Sequence, residues 1–157
     1  MKRFLILMLI ALMFAGVAGA TEPVEPPKKC KQCGMDRTAF ARSRMLIVYD
    51  DGTSVGTCSI LCVAEELRQQ GHKPVKSLLV ADYATEELIP AKSAVWVVGG
   101  VKKGGMNYPP KWAFARKGDA LQFIRENGGD VTAFDQVMKS AIAAAAEAAR
   151  IPQLPED

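Results

Sequence analysis

All four cysteines of the 157-residue chain fall in two pairs, Cys30 and Cys33 in CKQCGM and Cys58 and Cys62 in CSILC. A CxxC turn backed by Gly34 carries two thiols on one tight bend, and residues four apart share one face of a helix. With a β-hairpin between the pairs, this is the layout of a treble-clef metal site, in which a turn and the start of a helix each supply two ligands. The dipole and free N–H groups of a helix start favour thiolate, so Cys58 is the sulfur expected to have the lowered pKa. Tetrahedral sulfur sets suit Zn(II), whereas soft thiolates and thioethers select Cu(I). Two methionines bear on that choice. Met35 follows the CxxC turn directly, and Met106 sits in the loop KKGGMNYPP, where it reads equally as a soft ligand and as a loop residue capping an apolar surface.

Oxidising compartments offer a rival use for the same thiols. Lys2 and Arg3 precede an apolar run from Phe4 to Phe14, and small residues end in Ala18-Gly19-Ala20. That order reads as a secretory signal over residues 1–20, with cleavage after Ala20. The apolar run is shorter than the ~20 residues needed to span a bilayer, and no cysteine at the cut offers lipid attachment. The expectation is a periplasmic or secreted chain, soluble after cleavage and without a stable membrane anchor. Four cysteines in a small exported protein are also compatible with two disulfides. Cys30 and Cys33 close into one easily, while Cys58 and Cys62 would have awkward geometry across one helical turn.

The elements that must position these residues follow from periodicity. Residues 21–29 (TEPVEPPKK) read as a Pro-rich linker. MLIVY from Met45 and the residues from Ser54 to Thr57 flank the turn signal DDGT and read as a hairpin. Ile60, Leu61, Ala64 and Leu67 recur at helical spacing up to Gly71, and LLVADY from Leu78 to Tyr83 is the next strand. A second set repeats the order: Ala94 to Val98, Lys111 to Arg116, a helix from Lys117 to Asn127 packing through Leu121, Phe123 and Ile124, and a closing strand over Asp130 to Phe134. The fold class is therefore α+β, two ββαβ modules over about 30–90 and 91–134, the first treble-clef-like. A C-terminal helix over about 134–150 follows, with Val137, Met138, Ala141, Ile142 and Ala145 on one face.

Several functions are disfavoured. Loss of Lys2 and Arg3 takes the formal net charge from +3 to about +1, and no basic run with interleaved aromatics appears, so nucleic acid is not an expected partner. There is one histidine, His72, which reads as a solvated loop residue, and no serine elbow, HExxH pattern or phosphate-loop spacing. Catalytic residues are accordingly expected to be none.

From Cys30 to about Val137 the chain resembles the NosL-type copper-binding proteins associated with maturation of periplasmic nitrous oxide reductase. The segments that carry the resemblance are Cys33-Gly34-Met35, Val80-Ala81-Asp82-Tyr83, Ile89-Pro90-Ala91 leading into AVWVVG, Gly104-Gly105-Met106 before Ala113-Phe114, and Gly128-Gly129-Asp130-Val131 before Phe134-Asp135-Gln136-Val137. The resemblance implies two ββαβ modules and one bound Cu(I), with Cys33, Met35 and Met106 as matched candidates. The first module is also similar to cysteine-rich heavy-metal trafficking elements, in which a later pair, here Cys58 and Cys62, cooperates with CGM. The expected ligand set is thus Cys30, Cys33, Met35, Cys58, Cys62 and Met106. The expected function is an exported Cu(I) metallochaperone passing copper to an accepting periplasmic protein such as nitrous oxide reductase, with Zn(II) as the other candidate metal. Two alternatives remain: a thiol–disulfide oxidoreductase using Cys30 and Cys33, and a binding module stapled by zinc or disulfides.

Overall fold

The computed structural model describes residues 25–105 and 108–150. The expected signal segment and Met106 lie outside the described residues. Among the described residues, seven strands and three helices run in the order β1 (Met45–Tyr49), β2 (Ser54–Thr57), α1 (Ile60–Gln70), β3 (Val75–Ala81), β4 (Leu88–Pro90), β5 (Val95–Val98), β6 (Lys111–Phe114), α2 (Lys117–Asn127), β7 (Asp130–Thr132) and α3 (Phe134–Ala148). They build two antiparallel sheets, ordered β2-β1-β3-β4 and β6-β5-β7, as an α+β arrangement requires.

Alternation along β1 buries Met45, Ile47 and Tyr49 on one face. Each such side chain contributes about 1.5–3 kcal/mol when removed from water. Against this face pack Ile60, Val63 and Ala64 of α1 and Val137, Ala141 and Ala145 of α3, with Trp96 completing the core. Trp96 is anchored by its Nε1–H donating to the Ala91 carbonyl at 2.8 Å. A second apolar cluster, Val97, Trp112, Phe114, Ala120 and Phe123, lies under α2. Tyr83 bridges to it edge-on, its ring centred 4.8 Å from that of Phe123.

Several expectations about element borders change: β3, β6 and β7 end at Ala81, Phe114 and Thr132, short of the expected Tyr83, Arg116 and Phe134. The first sheet has a fourth strand, β4, which pairs with β3 from Leu79–Pro90 to Ala81–Leu88. Three residues ending in proline give no periodic signal, and Pro90 is tolerated because the strand is an edge. β3 begins at Val75 rather than Leu78, since Ser77 pairs with Val48 and Val75 with Tyr49, Lys76 being the extra residue of the irregularity between them. The helix faces are also narrower than expected. Leu121 and Ile142 are exposed because the buried stripes run through Ala120 and Phe123 in α2 and through Val137, Ala141 and Ala145 in α3.

Part of the Pro-rich stretch lies against the fold. Glu25 forms ion pairs with both Arg37 and Arg44, two arginines that are themselves buried. The Arg37 guanidinium also donates to the carbonyls of Thr57 and Met45, each at 3.1 Å, so it ties the residues before the CxxC turn to the first hairpin.

Candidate metal centre

The CxxC turn is closed by its own backbone. The Gly34 N–H donates to the Cys30 carbonyl at 3.0 Å and the Cys30 N–H to the Met35 carbonyl at 2.8 Å. Gly34 has φ of 72°, a left-handed conformation in which a side chain would be strained. A Lys31 N–H bond to the Gly56 carbonyl, 3.0 Å, fastens the turn to the end of β2. β2 then delivers Cys58 and the N-cap residue Ser59 to the start of α1, whose first turn carries Cys62. Only Cys62 of the second pair is helical, Cys58 preceding the cap.

The result is one cluster. The sulfurs of Cys30, Cys33, Cys58 and Cys62 all lie within 4.8 Å of one another. Cys33 is 3.4 Å from Cys58, Cys58 is 3.7 Å from Cys62, and Cys62 is 3.8 Å from Cys33. All four are free thiols, since these separations exceed the roughly 2.05 Å of a sulfur–sulfur bond. A metal bound by four thiolates at about 2.3 Å needs edges of about 3.8 Å, so the three shortest separations suit such a polyhedron nearly without adjustment. The donor set is soft and fits Zn(II) and Cu(I).

Its electrostatics depart from the expectation for the helix start. The neighbouring thiols of Cys58 and Cys62 favour the Cys30 anion, as do the N–H groups of Cys33 and Cys58. Together these pull Cys30 well below the ordinary thiol range in spite of its burial. Cys58 is pushed up to about 12, first by its hydrogen bond with Cys30 and also by burial. Cys62 rises for the same reasons. The sulfurs therefore titrate as a group, with Cys30 shifted downward and Cys58 and Cys62 upward by their neighbours.

Around the thiols, Met35 and Phe40 are half-buried and pack on the cluster. Met35 is therefore beside the sulfurs, as its position after the turn suggested. Met106 is not described, but the residue before it, Gly105, approaches the same neighbourhood: a Cβ there would stand 3.2 Å from the Phe40 ring. Cys33 is the least buried of the four sulfur residues. It opens with Cys62 onto an apolar cavity of about 170 Å³ shared with Leu61 of α1 and Ala145 and Ala148 of α3. His72 is exposed in the loop after α1, away from the thiols. Sequence reasoning did not find Phe40, nor the buried pair Ser59 and Glu66. The Ser59 hydroxyl is fully enclosed with no hydrogen-bond partner, one residue from Cys58. The signal that could have marked it is a Ser directly before an apolar helical run, the pattern of an N-cap.

A small α+β fold that gathers four free thiols from a turn and a helix start defines a protein with a four-cysteine metal-binding group. The chain belongs to the NosL family, whose model matches residues 21–142. Among solved structures, the copper chaperone NosL from Shewanella denitrificans is similar in fold, with a TM-score of 0.56 and 24% identity. That likeness covers 73% of this chain and 99% of the other. The curated proteins compared give no match. Among the described residues no helix is long and apolar enough to cross a membrane.

Proposed function

We propose that this protein is an exported Cu(I) carrier that holds one ion in the thiol cluster and passes it to an accepting periplasmic protein, nitrous oxide reductase being the candidate client. It does so without catalysing a covalent reaction. The observation that carries this reading is the convergence of four free, mostly buried thiols with a thioether, Met35, packed on them. Family membership and the copper chaperone of similar fold support copper as the cargo.

In this reading Cys30, already favouring its anion, together with Cys58 and Cys62, retains the ion. Cys33, the sulfur nearest solvent, is the ligand that exchanges first with an incoming partner ligand. Met35 and Met106 are the labile thioethers, since thioether sulfur needs no deprotonation and binds Cu(I) better than Zn(II). Ligand exchange one sulfur at a time lets the ion leave without ever being free in water.

The near-tetrahedral sulfur spacing favours a second reading, a closed structural Zn(II) site. Competition separates the two. The Zn(II)-loaded chain is exposed anaerobically to one equivalent of buffered Cu(I), and released zinc is followed with a chromogenic indicator. Displacement of zinc, lost on Cys33→Ser and slowed or weakened on Met106→Leu, supports the carrier. Zinc that stays in place, together with unfolding on chelation, supports the structural site.

A further inference from the structure

We propose that Glu66 is a positioning residue for the thiol cluster: through Gln32 it locks the Cys30–Cys33 turn onto α1 and thereby slows the loss of a bound metal. The inference rests on the reading that the thiols hold a metal.

Glu66 lies four residues after Cys62 and so on the same face of α1. Its side chain is 1% exposed, yet no Lys or Arg among the described residues forms an ion pair with it. Its hydrogen-bond partners are neutral. The Gln32 amide donates to Oε2, and the Tyr49 hydroxyl donates to Oε1 at 3.4 Å. The Gln32 carbonyl oxygen in turn accepts from Gln69 Nε2 at 3.0 Å, so α1 grips the Gln32 amide through both Glu66 and Gln69.

Gln32 is the second of the two residues between the paired cysteines of the turn, immediately before Cys33. The other fastenings between the two halves of the cluster, from Lys31 to the Gly56 carbonyl and from Arg37 to the Thr57 carbonyl, hold the turn to β2. Apart from the thiols themselves, Gln32 is the residue of the turn that hydrogen-bonds to the body of α1, the element that carries Cys62. A carboxylate buried without a cation is costly, so packing alone does not account for its presence. A charged acceptor does provide a stronger and better-aimed hydrogen bond to the amide than a neutral one. For the exchangeable ligand Cys33 to swing out, the turn must move relative to α1, and this grip opposes that movement.

The test compares release of one equivalent of Cu(I) from the anaerobically loaded chain into excess chromogenic chelator, for the unaltered chain, Gln32→Ala, Glu66→Ala, Glu66→Gln and the Gln32→Ala/Glu66→Ala pair. Each protein is measured well below its own melting temperature. Groups that hold metal ligands in place typically contribute 10- to 100-fold to retention, and Gln32→Ala and Glu66→Ala should each speed release by about that factor. The double variant should release no faster than either single one, because both act through the same contact. Glu66→Gln retains an acceptor oxygen for the Gln32 amide and should return towards the unaltered rate. A merely structural role would lower melting temperatures and leave release unchanged. Release at the unaltered rate from Gln32→Ala, whose site is half-buried and tolerant, overturns the proposal even where Glu66→Ala does not fold. So do single effects that multiply in the double variant. If the unaltered chain takes up neither Cu(I) nor Zn(II), the reading of the site itself fails; if it loads and the variants release at the unaltered rate, the failure belongs to the Glu66 proposal alone.

Discussion

Replacing Asp82 by Asn tests one of the contacts that hold the second sheet to the first. Asp82 follows β3 and is 2% exposed. Its Oδ1 accepts from the Ala115 N–H at 3.0 Å, just beyond β6, and its Oδ2 accepts from the Thr85 N–H at 3.2 Å and the Thr85 hydroxyl at 2.8 Å. Asparagine fills the same space and keeps one acceptor, but aims an NH2 group at the Thr85 N–H. Hydrogen bonds to a charged group contribute about 1.5–3 kcal/mol, so losing those on one oxygen should cost about 2–3 kcal/mol at pH 7. For a domain of this size that is a fall in melting temperature of about 10 °C. The cost should also depend on pH. Burial pushes the Asp82 carboxyl up, but the hydrogen bonds outweigh it, and the net shift is downward from 3.8. A carboxyl with a lower pKa in the folded than in the unfolded chain stabilises fully above the unfolded value, and that stability is lost as pH falls through the folded value. Urea unfolding from pH 7 to pH 3 should show the gap between the two proteins narrowing below about pH 4. A variant within about 0.5 kcal/mol of the parent at pH 7, or a gap that ignores pH, would refute the reasoning.

Three further outcomes are expected. Gly56→Ala places a Cβ 2.5 Å from the Arg37 guanidinium, which is held by buried hydrogen bonds and has nowhere to retreat; denaturant unfolding should show a loss of about 2–3 kcal/mol, and an unchanged midpoint would mean that Arg37 is freely displaced. Ser59→Ala removes a buried hydroxyl that neither caps α1 nor finds another partner. Instead of the usual cost of about 1 kcal/mol for a lost N-cap, the metal-free chain should be unchanged or more stable in thermal melts. Lys111 is buried with a carbonyl contact to Pro109 at 3.0 Å, and desolvation lowers its pKa from 10.5. The unfolded chain therefore binds the proton more readily, so Lys111→Met should stabilise the protein at pH 7. That advantage should fade as pH rises towards 10.5, and a destabilised variant at neutral pH would contradict the assignment.

How much of this was legible in the sequence depends on the range of the physics involved. The border of α2 at Asn127 could be read locally, because Gly128 stops the helix with φ of 76° and donates to the Ile124 carbonyl at 2.8 Å. The pairing of the two cysteine clusters was legible too, since a turn and a helix start each have a spacing of their own. β4 was not, because three residues become a strand only by borrowing hydrogen bonds from β3. The exposure of Leu121 and Ile142 was likewise hidden, for an apolar residue beside a buried stripe looks the same in sequence as one within it. Gln32 and Glu66 are 34 residues apart, and neither has a pattern that names the other. The direction of the thiol shifts depends on the neighbouring sulfurs and on burial as well as on the helix start, which is why Cys58 is raised rather than lowered.

The central claim, that the four thiols act together to hold one soft ion, is tested most directly by anaerobic titration of the reduced chain with Cu(I) against a competing chromogenic chelator, with alkylatable thiols counted at each step. Uptake of one equivalent is expected before the chelator responds, with Cys30, Cys33, Cys58 and Cys62 protected together. A chelator that keeps its copper, or thiols that alkylate at the same rate with and without the ion, would contradict it.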